Sequence, residues 1–404
     1  MARSRVAQPQ TPFHRDERVL AALVQLLLVL VVGAGLWLLV RSTLADLQAK
    51  GLAPGLGFLD NVAGFAIGEG AAYDPASSSY LAAFRVGLGN TLRVAGTGIL
   101  LATLLGALIA LGRLSGNPLV ERLGAAYVEV FRNTPLLVQL IFWYQGVVLR
   151  LPGLDEGLAL ARQAGPVGSD ARALLFLSQR GLALPRFRPG EGASSWLAAL
   201  ALGALLGLAI GRWRRRRQAR TGRPAGGLAW GLSAWLLVAV LAWAALPAAP
   251  YTIELPAVGR FKYEAGRVFS PEFTALLIGL VAYSAAFIAE VIRAGIVAVS
   301  QGQREAARAL GLTEAQGLRL VVIPQALRVI VPPLTSQYLN LTKNSTLAIY
   351  IGFPDLFNVS LTIGNNTGQF VVVTLMIMAV YLAMSLGTSL AMNAYNRRIQ
   401  LVER

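Results

Sequence analysis

Few side chains in this 404-residue chain are equipped for covalent or metal chemistry, and those few are scattered. There is no cysteine, and the single histidine, His14, stands in a polar N-terminal stretch. Thiolate metal sites and cysteine nucleophiles are therefore excluded, and a histidine-based metal centre or Ser-His-Asp triad has no second histidine to draw on. Of the 36 basic residues 33 are arginine, and the three lysines, Lys50, Lys262 and Lys343, follow no glycine. No GxxxxGK[ST] phosphate loop exists, so any ATP that drives this protein is hydrolysed by another chain.

What remains is recognition chemistry, in four places. Lys343 stands with Asn340, Asn344, Ser345 and Thr346 in an apolar stretch. Such a patch could hold an amino acid by its carboxylate at the lysine and its ammonium at amide or carbonyl oxygens, or it could serve interhelical hydrogen bonding. Glu290 precedes Arg293 by three residues, the spacing of an ion pair at a membrane interface or of a ligand group. Arg132-Asn133-Thr134-Pro135 puts an arginine at a proline-interrupted helix, as a pathway or gate element or as a helix-breaking elbow. The run Arg212-Trp213-Arg214-Arg215-Arg216-Arg217 reads as a nucleic-acid site, an anionic-lipid site or a topogenic anchor. No stacking aromatics surround it as single-strand binding requires, which favours the anchor.

The elements that must carry these groups are membrane spans. Apolar types make up 55% of the chain and charged types 14%, well short of the share of about a quarter that solvates a globular protein. About 20 apolar residues in a helix cross a hydrocarbon core. Eight stretches qualify: 19–40, 86–111, 125–148, 195–211, 228–246, 273–292, 329–351 and 370–392. The fourth, Ser195–Gly211, is the shortest at 17 residues, and without it the downstream topology inverts. Segments outside the spans, rich in Gly, Pro, Ser and Ala, read as partly ordered loops. The predicted fold is an all-α integral membrane protein of about eight transmembrane helices.

Charge orients it. With the N-terminus in the cytoplasm, the inner segments hold 21 basic and 6 acidic residues, and the outer segments 11 and 10. The net charge of +16, which alone suggests nucleic acid, is thus almost wholly a cytoplasmic-face charge. Both termini are expected inside, and no nucleic acid is expected as a partner.

The most informative segment is the inner loop 293–328. Arg304–Leu310 contains strong helix formers, with Ala306, Ala309 and Leu310 on one face; Gly311 follows as a residue suited to a left-handed turn. Thr313-Glu314-Ala315-Gln316 reads as a capping box opening a second helix. The spacing Glu305-Ala306-Ala307, three residues, Gly311, nine residues, Val321-Val322-Ile323-Pro324 resembles the EAA loop of type I ABC importer permeases, with Val321 and Ile323 in place of the family's Ile and Leu. Leu88-Gly89-Asn90-Thr91-Leu92, Tyr127–Gln139 and Ile351–Leu356 resemble the polar amino-acid branch of that family.

The resemblance covers 85–150 and 272–400, and implies four regions. These are 1–84 with the tail and first helix, 85–150 as the first part of the permease core, an insertion 151–271 with two extra spans, and 272–404 as the rest of the core. The enlarged chain is similar to permease subunits of general L-amino-acid or glutamate/glutamine/aspartate/asparagine importers. That likeness implies a bacterial inner-membrane permease moving polar L-amino acids inward by alternating access. Its implied partners are a second permease subunit, a cytoplasmic ABC ATPase dimer, a periplasmic amino-acid-binding protein and membrane lipid. No cofactor is implied in this chain; ATP and Mg belong to the ATPase. Arg304, Glu305, Ala306, Ala307, Ala309, Leu310 and Gly311 would couple to it. Glu305 would face its arginines, or else pair with Arg308 at i,i+3. An ion-coupled secondary transporter is the alternative, but acids are nearly absent from the spans. A scaffold or membrane enzyme has no catalytic cluster behind it.

Overall fold

The computed structural model describes residues 17–49, 55–154, 156–161, 172–222 and 226–399. His14, Lys50 and the middle of the loop 150–194 lie outside the described residues. Contacts divide the chain into two units, one built from parts of 1–90 and 354–390, the other from parts of 91–353 and 391–404.

The helices follow the hydropathy. Chain order gives α1 Glu17–Ala49, α2 Tyr80–Arg113, α3 Pro118–Asn133, α4 Leu136–Ile141, α5 Ala193–Thr221, α6 Gly227–Ala245, α7 Pro271–Val297, α8 Gln301–Ala309, α9 Glu314–Gly317, α10 Ile323–Asn344, α11 Leu356–Thr367 and α12 Phe370–Ile399. Among the described residues six helical runs are long and apolar enough to cross a membrane: Tyr80–Arg113, Ala193–Thr221, Gly227–Ala245, Pro271–Val297, Glu314–Ile351 and Phe370–Arg397. Two shorter apolar stretches, Leu23–Gly35 within α1 and Leu136–Arg150, complete the set of eight positions. The doubtful fourth span is secure in length, because α5 runs for 29 residues and carries the arginine run in its last turns rather than in a loop.

The expected third span, 125–148, is corrected. Proline has no N–H and pushes the residue before it out of the helical region. Thr134 accordingly stands at φ −95°, ψ 126° and ends α3, and a new helix starts at Leu136. It continues as a π-helical stretch, Phe142–Val147, and a 3₁₀ turn, Val148–Arg150. α3 itself is strongly two-faced, unlike the evenly apolar spans.

The larger unit is built around α7, the most enclosed of the spanning helices. One cluster joins Leu136, Leu140 and Val148 to Phe273, Leu276 and Leu280 of α7 and to Ile351 and Phe353. A second joins Ala285 and Ile288 of α7 to Ala102 of α2 and to Ala326, Ile330 and Leu341 of α10. Stacked rings of Phe269 and Phe273, 4.6 Å apart, close one end of α7. In the smaller unit Tyr80, Ala83 and Phe84 pack with Leu356, Val359 and Ile363 of α11 and Val373 of α12.

Where the composition predicts loops, the insertion instead forms short strands: β1 Leu158–Leu160, β2 Leu175–Ser178, β3 Gly181–Leu184, β4 Arg186–Pro189, β5 Tyr251–Glu254, β6 Ala257–Val258, β7 Tyr263–Glu264 and β8 Arg267–Phe269. β1-β2-β3-β8 make one antiparallel sheet, β4 pairs with β5, and β6 with β7. Phe176 stacks on Tyr263 at 5.3 Å over Ala173, Ala183 and Val258, a core of its own. Strands of two to four residues set among Gly and Pro have too few alternating positions for periodicity to register.

Candidate functional site

The loop between α7 and α10 folds as its sequence directs. α8 ends in two bonds, Gly311 N–H to the Arg308 carbonyl at 2.9 Å and Leu312 N–H to the Ala307 carbonyl at 3.2 Å. This is the Schellman pattern, and Gly311 takes the φ of +75° that it demands. Two residues later Thr313 Oγ1 accepts from Gln316 N–H while Gln316 Oε1 accepts from Thr313 N–H, so the capping box expected there is present. The two helices are thus locked head to tail around a glycine elbow.

Arg304 fixes this unit to the span above it by donating to the Ile296 carbonyl in the last turn of α7 at 2.8 Å. Ala307 turns inward and is buried, while Arg304, Glu305, Ala306, Ala309, Leu310 and Gly311 stay exposed, Leu310 at 81%. The apolar group Ala306, Ala309 and Leu310 therefore has no partner within the described residues. The i,i+3 pair between Glu305 and Arg308 is corrected: Glu305 accepts from Gln301 Nε2 at 2.8 Å, and Arg308 reaches Glu314 at 3.1 Å across the elbow.

One turn from the loop, Glu290 is held by two arginines from different helices. Arg293 on α7 donates from Nε at 3.2 Å, and Arg113 at the end of α2 donates to the other carboxylate oxygen. The i,i+3 spacing announces Arg293; nothing in the sequence announces Arg113, 177 residues away. The triad ties the ends of α2 and α7 together where the loop leaves the membrane helices.

The Arg132–Pro135 break is also a built feature. Arg132 and Asn133 are exposed, and the Arg132 guanidinium lies 5.1 Å above the Phe287 ring of α7. The carbonyls freed by the break are taken by Gln139, buried in the next helix, whose Nε2 donates to Phe131 and Thr134, both at 2.9 Å. Tyr127 anchors α3 by donating to the Ala282 carbonyl at 2.7 Å. Gln139 is the residue that sequence reasoning misses here. A lone amide four residues past a proline is visible, but its two partners are not.

The polar patch of α10 divides. Thr342 and Ser345 are buried and donate to the carbonyls of Tyr338 and Thr342, and Thr346 donates to that of Lys343, so these hydroxyls are spent on their own helix. Asn340 and Lys343, three residues apart, are exposed, and Asn344 is half-buried. α10 also contains Pro332 and Pro333, each removing one helical N–H···O bond, before the helix gives way to a 3₁₀ stretch, Ser345–Ile351. In the smaller unit Asn90, fully buried, donates to the carbonyls of Glu69 at 3.0 Å and Pro354 at 2.8 Å. This gives the Leu88–Leu92 motif a structural reason.

Comparison with known proteins adds independent information. The family described as binding-protein-dependent transport system inner membrane component matches residues 199–401. The match opens inside α5, so it takes in the α5–α6 hairpin, whereas the motif resemblance resumes only at 272. Among curated proteins, the chain is 42% identical over 389 residues to the general L-amino acid transport system permease protein AapQ of Rhizobium johnstonii, covering 96% of this chain and 94% of that one. It is 43% identical to the putative amino-acid ABC transporter permease protein YhdX of Escherichia coli K12, covering 94% and 93%. It is 37% identical to the glutamate/glutamine/aspartate/asparagine transport system permease protein BztB of Rhodobacter capsulatus, covering 96% of each. These alignments run through the insertion as well as the core. With half its length matched by the family and relatives aligned over nearly all of both chains, this multi-pass membrane protein belongs to the binding-protein-dependent transport system inner membrane components.

Proposed function

We propose that the chain is the permease subunit of an ATP-driven importer that moves polar L-amino acids from periplasm to cytoplasm by alternating access. The observation that carries this reading is the elbow of α8 and α9: an exposed helix pair tied to α7 by Arg304, presenting Ala306, Ala309 and Leu310 with no partner among the described residues. It suits the cleft of a cytoplasmic ABC ATPase dimer, which would hold the ATP and Mg. The relatives named for amino-acid transport support the substrate class, and their likeness through the insertion supports pairing with a second permease and a periplasmic binding protein.

In this reading both termini lie in the cytoplasm of a bacterial inner membrane, in keeping with the excess of basic residues in the inner segments. ATP-driven closure at the elbow would pull on α7 and α10 and bias a two-state bundle. Asn340, Lys343 and Asn344, with Ser345 and Thr346 shaping the helix behind them, form one candidate wall of the substrate path. Arg132, Asn133 and Thr134 at the proline break and the Glu290 triad form its candidate inner gate. Uptake of a panel of labelled amino acids by the reconstituted complex tests the proposal. We expect ATP-dependent import of polar amino acids that ends when the ATPase is omitted. Uptake persisting without it would return the chain to the ion-coupled class.

A further inference from the structure

The hairpin of α5 and α6 carries features that coupling and transport leave unused. Gly207 and Gly231 let the two backbones meet: a Cβ on Gly207 would stand 2.5 Å from the Gly231 carbonyl oxygen. The close approach leaves a groove of about 480 Å³ along one face, walled by Ala204, Leu208, Leu232 and Trp235 and ending at Arg212 and Arg215. That size lies in the range of ligand pockets. Both guanidiniums are exposed, and among the described residues neither has a hydrogen bond or ion pair.

Their depth is marked by aromatic rings. Arg214 sits 4.4 Å above the Trp230 ring, pinning the charged end of α5 to the start of α6, and Arg217 lies 5.8 Å from Trp213 one turn back on its own helix. At the hairpin's other end Trp196 packs edge-on against Trp243 at 5.4 Å and Tyr251 at 5.8 Å. Indole girdles of this kind sit at the two membrane–water interfaces, and a helix from Trp196 to Trp213 spans about 25 Å between them. Arg212 and Arg215 therefore lie at headgroup level, and the groove runs from them into the hydrocarbon.

An apolar slot that opens on two cations at headgroup depth is complementary to one ligand class. We propose that the α5–α6 groove binds one anionic phospholipid, its phosphate held by Arg212 and Arg215 and an acyl chain lying against Ala204, Leu208 and Trp235. The arginine run is then a binding element as well as a topological one. Arg216 and Arg220, off the groove, supply only diffuse attraction.

Native mass spectrometry of the chain purified with its accompanying subunits in neutral detergent, titrated with phosphatidylglycerol or phosphatidylcholine, tests this. One phosphatidylglycerol per chain should be retained in preference to phosphatidylcholine. Arg212→Gln with Arg215→Gln should weaken retention about thirtyfold, and Arg216→Gln with Arg220→Gln, the same charge removed from the same helix, should weaken it far less. Ala204→Phe, which fills the slot and keeps every charge, should also abolish retention, and it decides the matter alone if the arginine variant fails to assemble. Equal losses in the two double variants, no effect of Ala204→Phe, or a change of subunit stoichiometry rather than of lipid in Ala204→Phe would each overturn the proposal.

Discussion

At Gly311 the backbone, not the side-chain space, makes the demand. Nothing lies within 4 Å of where its Cβ would be, yet φ is +75°. An L-residue there costs about 1–2 kcal/mol, with asparagine among the best tolerated and β-branched residues the worst. Gly311→Asn should therefore keep most uptake, while Gly311→Val and the charged Gly311→Asp leave the protein in the membrane and uncouple it. Transport assays normalised to membrane-embedded protein check this, and a Val variant as active as Asn would remove the elbow from the mechanism. Glu290 poses the opposite case, where partners matter and backbone does not. Side-chain exposures of 18% for Arg113 and 32% for Arg293 mean that Glu290→Gln strands two largely enclosed guanidiniums. The expected loss is about 1–3 kcal/mol, read as a lower Tm in detergent. Adding Arg113→Gln should recover part of it, since one of the unpaired charges goes as well.

At the scale of elements, the start of α11 makes stability depend on pH. Asp355 lies outside the spanning helices, is fully buried, and caps α11 by accepting from Asn358 N–H at 2.8 Å. Burial outweighs the backbone donors and pushes its pKa from 3.8 up to about 6. Because the folded state holds this proton more tightly than the unfolded one, the stabilising contribution is complete below the ordinary value and is lost as pH rises through about 6. Asp355→Asn keeps a good cap and carries no charge, so it should raise Tm at pH 8 and flatten the fall between pH 5 and pH 8. Asp355→Ala should lose about 1 kcal/mol with the cap at pH 5, and because it too carries no charge, its deficit relative to the wild type should shrink by pH 8. Melting curves of the three proteins at the two pH values check the sign. The elements themselves were unevenly legible. Evenly apolar spans such as α2, α7 and α12 announce themselves by length, and the Gly311 elbow and Thr313 cap by residue type, because each is set within a few positions of chain. The break at Pro135 is legible as a proline, but Gln139, which makes it tolerable, acts through its own neighbourhood in space. The Arg113–Glu290 contact and the small sheets depend on long-range pairing that periodicity does not encode.

For the whole molecule, the proposed orientation assigns each end of the spans to one face of the membrane, and the composition supplies the means to test it. The chain has no cysteine, so a single introduced thiol reports its own position without background. The proposed orientation would put Arg216 and Leu310 on the cytoplasmic side, and Phe187 and Phe261 of the insertion on the other. All four are exposed, Phe187 at 65%, Phe261 at 72% and Leu310 at 81%, so label access is governed by the membrane rather than by packing. In intact cells with a permeable outer membrane, a membrane-impermeant maleimide should label Phe187→Cys and Phe261→Cys and spare Arg216→Cys and Leu310→Cys. In inverted vesicles stripped of the ATPase the pattern should reverse, with Arg216→Cys and Leu310→Cys labelled and Phe187→Cys and Phe261→Cys spared, and all four should label once the membrane is permeabilised. Because α5 and α6 enter as a pair, the same experiment tests whether the hairpin spans at all. If it lay on one surface, Arg216→Cys would label together with Phe187→Cys while Leu310→Cys remained protected. Labelling of Leu310→Cys in intact cells would place the elbow beyond the reach of a cytoplasmic ATPase and defeat the importer assignment at its coupling step.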